Sequence, residues 1–209
     1  MNVEVTFSHD HAMGCQKLRN TAQLTRHNNI VRVLKSLCEL AGATVQVEPK
    51  ISIEDLPPSS RPEPDLRITT ASISFLVDVS ITHPCAQSYI KGAWKTRLYA
   101  ASLREQVKHR SYDQTALVDS STFTPFVLES FGAFGKETRA FLLWLAKFAA
   151  DNAWSSSPSL FLKMSYDLIA ITLQRGNGIV YMKGSEYVNR RVQAAMNTCH
   201  FDMASLSHS

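Results

Sequence analysis

The stretch Ser72–Thr82, SISFLVDVSIT, constrains the fold of this chain more than any other segment. It runs apolar or alternates, is rich in β-branched residues, and is broken by His83-Pro84, so it reads as the chain's best strand. Asp78 lies late in it. Just upstream, Asp65–Thr70 reads as a second, shorter strand. Before that, residues 54–64 (EDLPPSSRPEP) hold four prolines and two serines and must be a loop.

The other elements arrange themselves around this pair. Residues 26–43 place Ile30, Val33, Leu34, Leu37, Cys38 and Ala41 at helical spacing, and Gly42 closes the helix. Thr44–Glu48 alternates as a short strand. After His83-Pro84 a long polar helix is expected over Ala86–Arg110, with Ile90, Trp94, Leu98, Ala101 and Leu103 on its apolar side. Gln114–Asp119 and Thr124–Glu129 read as strands, 131–135 as a loop, and Glu137–Asp151 and Leu160–Gln174 as helices. RGNG at 175–178 reads as the end of the last of these, with a weak helix around Glu186–Met196 beyond it. This order predicts an α/β domain, a mixed central sheet flanked by helices, over 25–180, with an N-terminal segment 1–24 and a C-terminal helix and polar tail 181–209.

Composition narrows the function classes. With 44% hydrophobic and 19% charged residues the chain is an ordinary globular one. No apolar run reaches a membrane span, and the first residues lack the pattern of a secretory signal. Cys15, Cys38, Cys85 and Cys199 form no CxxC pair, which points to a reducing compartment. A net charge of +4 permits nucleic-acid binding without demanding it. The basic residues concentrate at 91–110, where Lys91, Lys95, Arg97, Arg104, Lys108 and Arg110 face the single acid Glu105.

Asp65 and Asp78 are the candidate chemistry. If the two strands form an antiparallel hairpin, both carboxylates arrive at the same sheet end. Two hard oxygen ligands there suit Mg²⁺ or Mn²⁺, with water completing the shell. Such an ion activates water and polarises a phosphodiester, and a lysine nearby would orient the nucleophile or stabilise charge on phosphorus. Ser80 stands where that lysine would be found two residues after the second acid, so it must come from elsewhere, and the following helix offers Lys91, Lys95 and Lys108. Glu48 is either a third acidic ligand or a solvated strand end. His27 either contacts phosphate or caps its helix, Glu129 either organises the 131–135 loop or binds metal, the former being favoured, and Trp94, Trp144 and Trp154 read as core or partial-core residues.

These residues resemble a known pattern. RPEPDLRI, SFLVDVSITHP, SLREQVKHRSY and FTPFVLESFGAFG are similar to the restriction-like (PD-(D/E)xK) endonuclease domain of site-specific non-LTR retrotransposons. That family shows an R/KPD motif, a DVTV-type strand followed by Pro, a helix ending K-x-x-K-Y, and F-x-P-F-V-x-E-T-F-G. Arg61, Pro64 and Asp65 give an expanded first motif, Asp78, Val79, Ile81 and Pro84 match the second, and Lys108 with Tyr112 matches the third, Ser111 replacing its second lysine. Phe123, Pro125, Phe126, Val127, Glu129, Phe131 and Gly132 match the fourth. RHNNIVRVLKSLCELAG and LQRGN resemble two further family segments, and His11 with Cys15 matches the ending of an upstream zinc knuckle whose first half is missing here.

The resemblance implies a restriction-endonuclease-like core that nicks DNA with Mg²⁺ or Mn²⁺, leaving a 3′-hydroxyl that primes reverse transcription. Asp65 and Asp78 would hold metal, and Lys108 would position water or phosphate. Arg61, whose guanidinium suits phosphate, would contact DNA with Lys91, Lys95, Arg110 and Tyr112. DNA is the implied partner, RNA the alternative substrate, a reverse-transcriptase domain a further partner, and the nucleus the implied location. A fold that has lost activity and only binds nucleic acid, or acts as a scaffold, is the rival expectation.

Overall fold

The computed structural model describes residues 9–51, 63–152 and 157–206. Arg61, most of the proline-rich loop and Trp154 lie outside these residues, as does the side chain of His11.

A short helix α1 (His9–Gly14) leads through tight 3₁₀ and π turns into α2 (Leu24–Leu40). Strands β1 (Thr44–Val47), β2 (Leu66–Thr69) and β3 (Ser74–Thr82) follow. Next come a single helical turn α3 (Ile90–Ala93), α4 (Tyr99–Val118), β4 (Thr122–Glu129), α5 (Lys136–Asp151) and α6 (Pro158–Leu206). The four strands form one sheet in the order β1-β2-β3-β4, antiparallel at the first two pairings and parallel between β3 and β4. The expected class, a mixed sheet flanked by helices, is what the chain adopts.

Period-two alternation divides the sheet between two cores. Phe75, Val77 and Val79 of β3 join Leu66, Ile68, Phe126 and Leu128 on one face, against α2, α5 and α6. Each fully buried Leu, Ile or Phe there contributes roughly 1.5–3 kcal/mol. On the opposite face, Leu76 and Phe123 pack against Tyr112 and Ala116 of α4, and Val127 packs against Leu98 and Ala101. The outer edge of β4 is covered by the chain that follows it. Thr138 Oγ1 accepts from the Val127 amide at 2.7 Å and donates to its carbonyl at 3.0 Å. This edge position also tolerates Pro125 inside a strand.

Three expectations fail, each for a tertiary reason. Residues 114–118 belong to α4, because Tyr112, Thr115 and Ala116 are buried at helical spacing against the sheet. The helix expected over Ala86–Arg110 is broken at Leu98, which turns left-handed (φ 61°) to bury its side chain beside Val127. A buried carboxylate supports the restart: Glu129 Oε1 accepts from the Ala101 amide at 3.1 Å, in the first turn of α4. Finally, RGNG does not end a helix. α6 runs straight through it, because Gly176 is a close-approach glycine: a Cβ there would stand 2.5 Å from Arg26 Cγ.

Gly176 and Gly178 should therefore respond oppositely to alanine. Gly178 faces open space, so Gly178→Ala should gain up to about 1 kcal/mol from helix propensity. Gly176→Ala should lose about 1–2 kcal/mol, overpacking outweighing the same gain. Urea denaturation midpoints at constant slope measure both, and equal shifts in the same direction would refute the packing role of Gly176.

Candidate active site

The site begins where the β2–β3 ladder stops. Thr70 N donates to Ile73 O at 2.9 Å, and paired residues run down to Leu66 opposite Val77. One more pair sets Asp65 against Asp78, and the next would set Pro64 against Val79. Proline has no N–H to give, so the ladder cannot close there. Asp65 takes over instead: its Oδ2 accepts from the Val79 amide at 2.6 Å. His27 of α2 supplies the missing donor, its Nε2 lying 3.2 Å from both Asp65 Oδ2 and the Val79 carbonyl.

Burial alone would disfavour a charged His27. The hydrogen bond and charge of Asp65 outweigh it and raise the imidazole to about 9. His27 is therefore an imidazolium at neutral pH. Because the folded-state value is the raised one, the pair stabilises the fold fully below the ordinary 6.5 and loses that contribution as pH rises through about 9.

Asp78 sits deeper, with 7% of its side chain exposed. Alternation puts Leu76, Asp78 and Ser80 on the β3 face that α4 covers. From α4, Lys108 Nζ lies 2.7 Å from Asp78 Oδ2, and Tyr112 donates its hydroxyl to Asp78 Oδ1, also at 2.7 Å. Arg104 Nε donates to Ser80 Oγ at 3.2 Å, and Ser80 Oγ is 3.4 Å from Asp78 Oδ2. Arg104, Lys108 and Tyr112 are spaced four apart, one face of one helix. Burial first, then the charge and hydrogen bond of Asp78, drive the Tyr112 phenol upward, so it stays protonated and remains a donor. Its ring stacks on Phe123 with centroids 4.8 Å apart, beneath the Lys108 ammonium at 5.2 Å.

Asp65, Asp78, Ser80, His27, Arg104 and Lys108 all border one cleft of about 430 Å³. Arg19 and Arg26 line it too. Arg26 is 5% exposed and pairs with no carboxylate among the described residues. Its Nη1 donates to Asn177 Oδ1 at 2.7 Å, and burial lowers its pKa to about 10.

The remaining candidates fall elsewhere. Glu48 neighbours Asp65 through its backbone, its amide donating to Asp65 O at 2.9 Å, but its side chain is exposed and does not border the cleft. Tyr112 is 7% exposed and turned onto Asp78, so it supports the carboxylate from inside and offers no surface to DNA. Arg110 is exposed, about 200° around α4 from Lys108 at ~100° per residue. Lys91 and Lys95 are exposed on and after α3, outside the cleft lining. Glu129 caps α4. Trp144 packs against the core, ring to ring with Phe75 and Phe141, whereas Trp94 is 75% exposed and not a core residue.

The sequence offers His27 only as a helix cap or phosphate contact and does not single out Arg104. The signal for Arg104 was present in its spacing of four from Lys108. Nothing local signals that His27 reaches Asp65, because that contact spans 38 residues.

Among the described residues no group of three His, Cys, Asp or Glu side chains is arranged to hold a metal. Two carboxylates on adjacent strands are nonetheless a donor set that fits Mg²⁺ or Mn²⁺, which keep several waters and lean on substrate phosphate oxygens. Asp65 Oδ1 carries no hydrogen bond among the described residues.

No known family model matches the chain. It is similar to the retrotransposable element SLACS 132 kDa protein of Trypanosoma brucei gambiense, 27% identical over 183 residues. The match covers 83% of this chain but only 15% of that protein. The chain is thus similar to a small part of a retrotransposon-encoded protein.

In chelator-treated protein, an NMR titration should place His27 near 9. Asp65→Asn should return it to the ordinary range or below, since the opposing effect of burial remains. A midpoint unmoved by Asp65→Asn would disprove the pairing.

Proposed function

We propose that this domain is a divalent-metal-dependent DNA endonuclease of the retrotransposon type, cutting one strand to leave a 3′-hydroxyl able to prime reverse transcription. The observation that carries the reading is the pairing of Lys108 Nζ with Asp78 Oδ2 at 2.7 Å, in the same cleft as Asp65. Two carboxylates from neighbouring strands and an ammonium from α4 converge on one sheet end, a combination suited to metal-assisted phosphodiester hydrolysis. The similarity to a retrotransposon-encoded protein supports the context.

Asp65 and Asp78 would hold the cation. When bound, Mg²⁺ or Mn²⁺ would polarise the phosphodiester and offset its developing charge. The chain's own residues do the rest. Lys108 orients the attacking water or donates to the phosphoryl oxygens as they gain charge. Tyr112 fixes the Asp78 carboxylate by holding Oδ1, which leaves rotation about its Cβ–Cγ bond restricted. His27 does the same for Asp65 through Oδ2. Arg104, anchored on Ser80, adds a second cation at the cleft wall where a phosphate would enter. A reverse-transcriptase domain is the expected partner, and RNA the alternative substrate.

One observation favours the rival reading, a fold that binds nucleic acid without cutting it. Both Asp78 oxygens are already engaged, by Tyr112 and Lys108.

Plasmid nicking in Mn²⁺ separates the two. Wild type should nick supercoiled DNA, and Asp78→Ala and Lys108→Ala should each slow nicking by at least about 10²-fold. Chelation should abolish it, and a matched RNA should be cut less well. Nicking that survives Asp78→Ala would sink the assignment, and DNA binding with no nicking by wild type would establish the rival.

A further inference from the structure

Trp94 is 75% exposed, the most exposed large apolar side chain among the described residues. It follows α3, whose first residues continue from Tyr89, a residue that borders the cleft. Gly92 N and Ala93 N both bond to Tyr89 O, so the segment is a true helical turn. It is also firmly seated. A Cβ on Gly92 would stand 2.3 Å from the Tyr99 ring, so only glycine lets the turn lie so close to α4. The left-handed Leu98 then redirects the chain. Trp94 is thus presented outward from a fixed turn.

Its surroundings are cationic. Lys95 Nζ lies 5.1 Å from the Trp94 ring centroid, and Lys91 and Arg97, three residues before and after it in sequence, are exposed. Between Ala86 and Arg104 there are three basic residues, Lys91, Lys95 and Arg97, and no acid. At ~1.5 Å rise per residue, Trp94 stands about 8 Å along the turn from Tyr89 at the cleft rim.

We propose that Trp94, with Lys91, Lys95 and Arg97, forms a platform that stacks an unpaired base of a nucleic-acid strand entering or leaving the cleft. The cations would neutralise its phosphates. This rests on the nuclease reading and narrows its substrate: paired bases inside a duplex offer no face to the indole, so the preferred substrate is single-stranded or locally opened at that position. An exposed indole flanked by lysines is the combination that binds single strands with little sequence preference.

The test measures binding of the full chain, in EDTA, to a short labelled single strand and to the same strand with abasic sites, which keeps the phosphates and removes the bases. Wild type should prefer the base-bearing strand by about tenfold. Trp94→Ala should abolish that preference, and Trp94→Phe should keep part of it. Lys91→Ala and Lys95→Ala should preserve the preference but flatten the salt dependence, each by up to about one phosphate contact. A wild type indifferent to the bases, or a preference that survives Trp94→Ala, overturns the platform. So does self-association in sedimentation that depends on Trp94 without any base effect, which would assign the surface to a second copy. Because binding is read without metal, a protein that stacks bases but never nicks overturns the nuclease reading alone. One that nicks through Asp78 but ignores bases overturns the platform alone.

Discussion

A parallel pair of strands cannot be closed by a tight turn; it needs a crossover, and in this chain α4 is that crossover between β3 and β4. The helix is held at both ends. Glu129 accepts from its first turn, and Asp119 at its C-terminal end pairs with Arg67 of β2. Held this way, its Arg104–Lys108–Tyr112 face lies over the Leu76–Asp78–Ser80 face of β3. A period of four residues on the helix meets a period of two on the strand. The contacts of the deep carboxylate with Lys108 and Tyr112 follow from that superposition.

The same arrangement sets the electrostatics. Asp78 is buried, and burying a carboxylate is costly unless a cation and hydrogen-bond donors engage it. Lys108 supplies the first, and Tyr112 is a donor kept protonated by the burial it shares. Asp65 is solved differently. Its Oδ2 accepts from the Val79 amide where the ladder stops, and His27 from α2 supplies the donor that Pro64 cannot provide. Two elements on opposite faces of the sheet therefore converge on one strand end, so the cleft forms only when both layers are packed. Glu105 extends the same logic, accepting from the Glu137 amide at 3.1 Å in the first turn of α5.

Glycines and the left-handed Leu98 show where local rules gave way. Gly176 carries the local mark of a helix end, yet it lets α6 approach Arg26, and Asn177 beside it bonds Arg26 and the Ser130 carbonyl. Residues 114–118 read locally as a strand, and burial against Leu76 and Phe123 decided them for helix. Helical spacing places Trp94 on the apolar side of one continuous helix. The break at Leu98 uncoupled it from α4 and left it in solvent.

The sequence by itself determined the strands that the structure places at Thr44–Val47, Leu66–Thr69, Ser74–Thr82 and Thr122–Glu129, the α2 and α5 helices, and the meeting of Asp65 and Asp78 at one sheet end. Those are decided by alternation, helical spacing and a short hairpin, all contained within a few residues of each other. Lys108 was readable only through its likeness to a known motif, since spacing would have put the lysine at Ser80. Tertiary structure alone decided that Lys108 reaches Asp78, that His27 reaches Asp65, that Glu48 stays outside the cleft and that Tyr112 turns inward. Each is a matter of which helix lies over which strand and how far along it. That is fixed by packing and by the clamped ends of α4, and no local pattern encodes it.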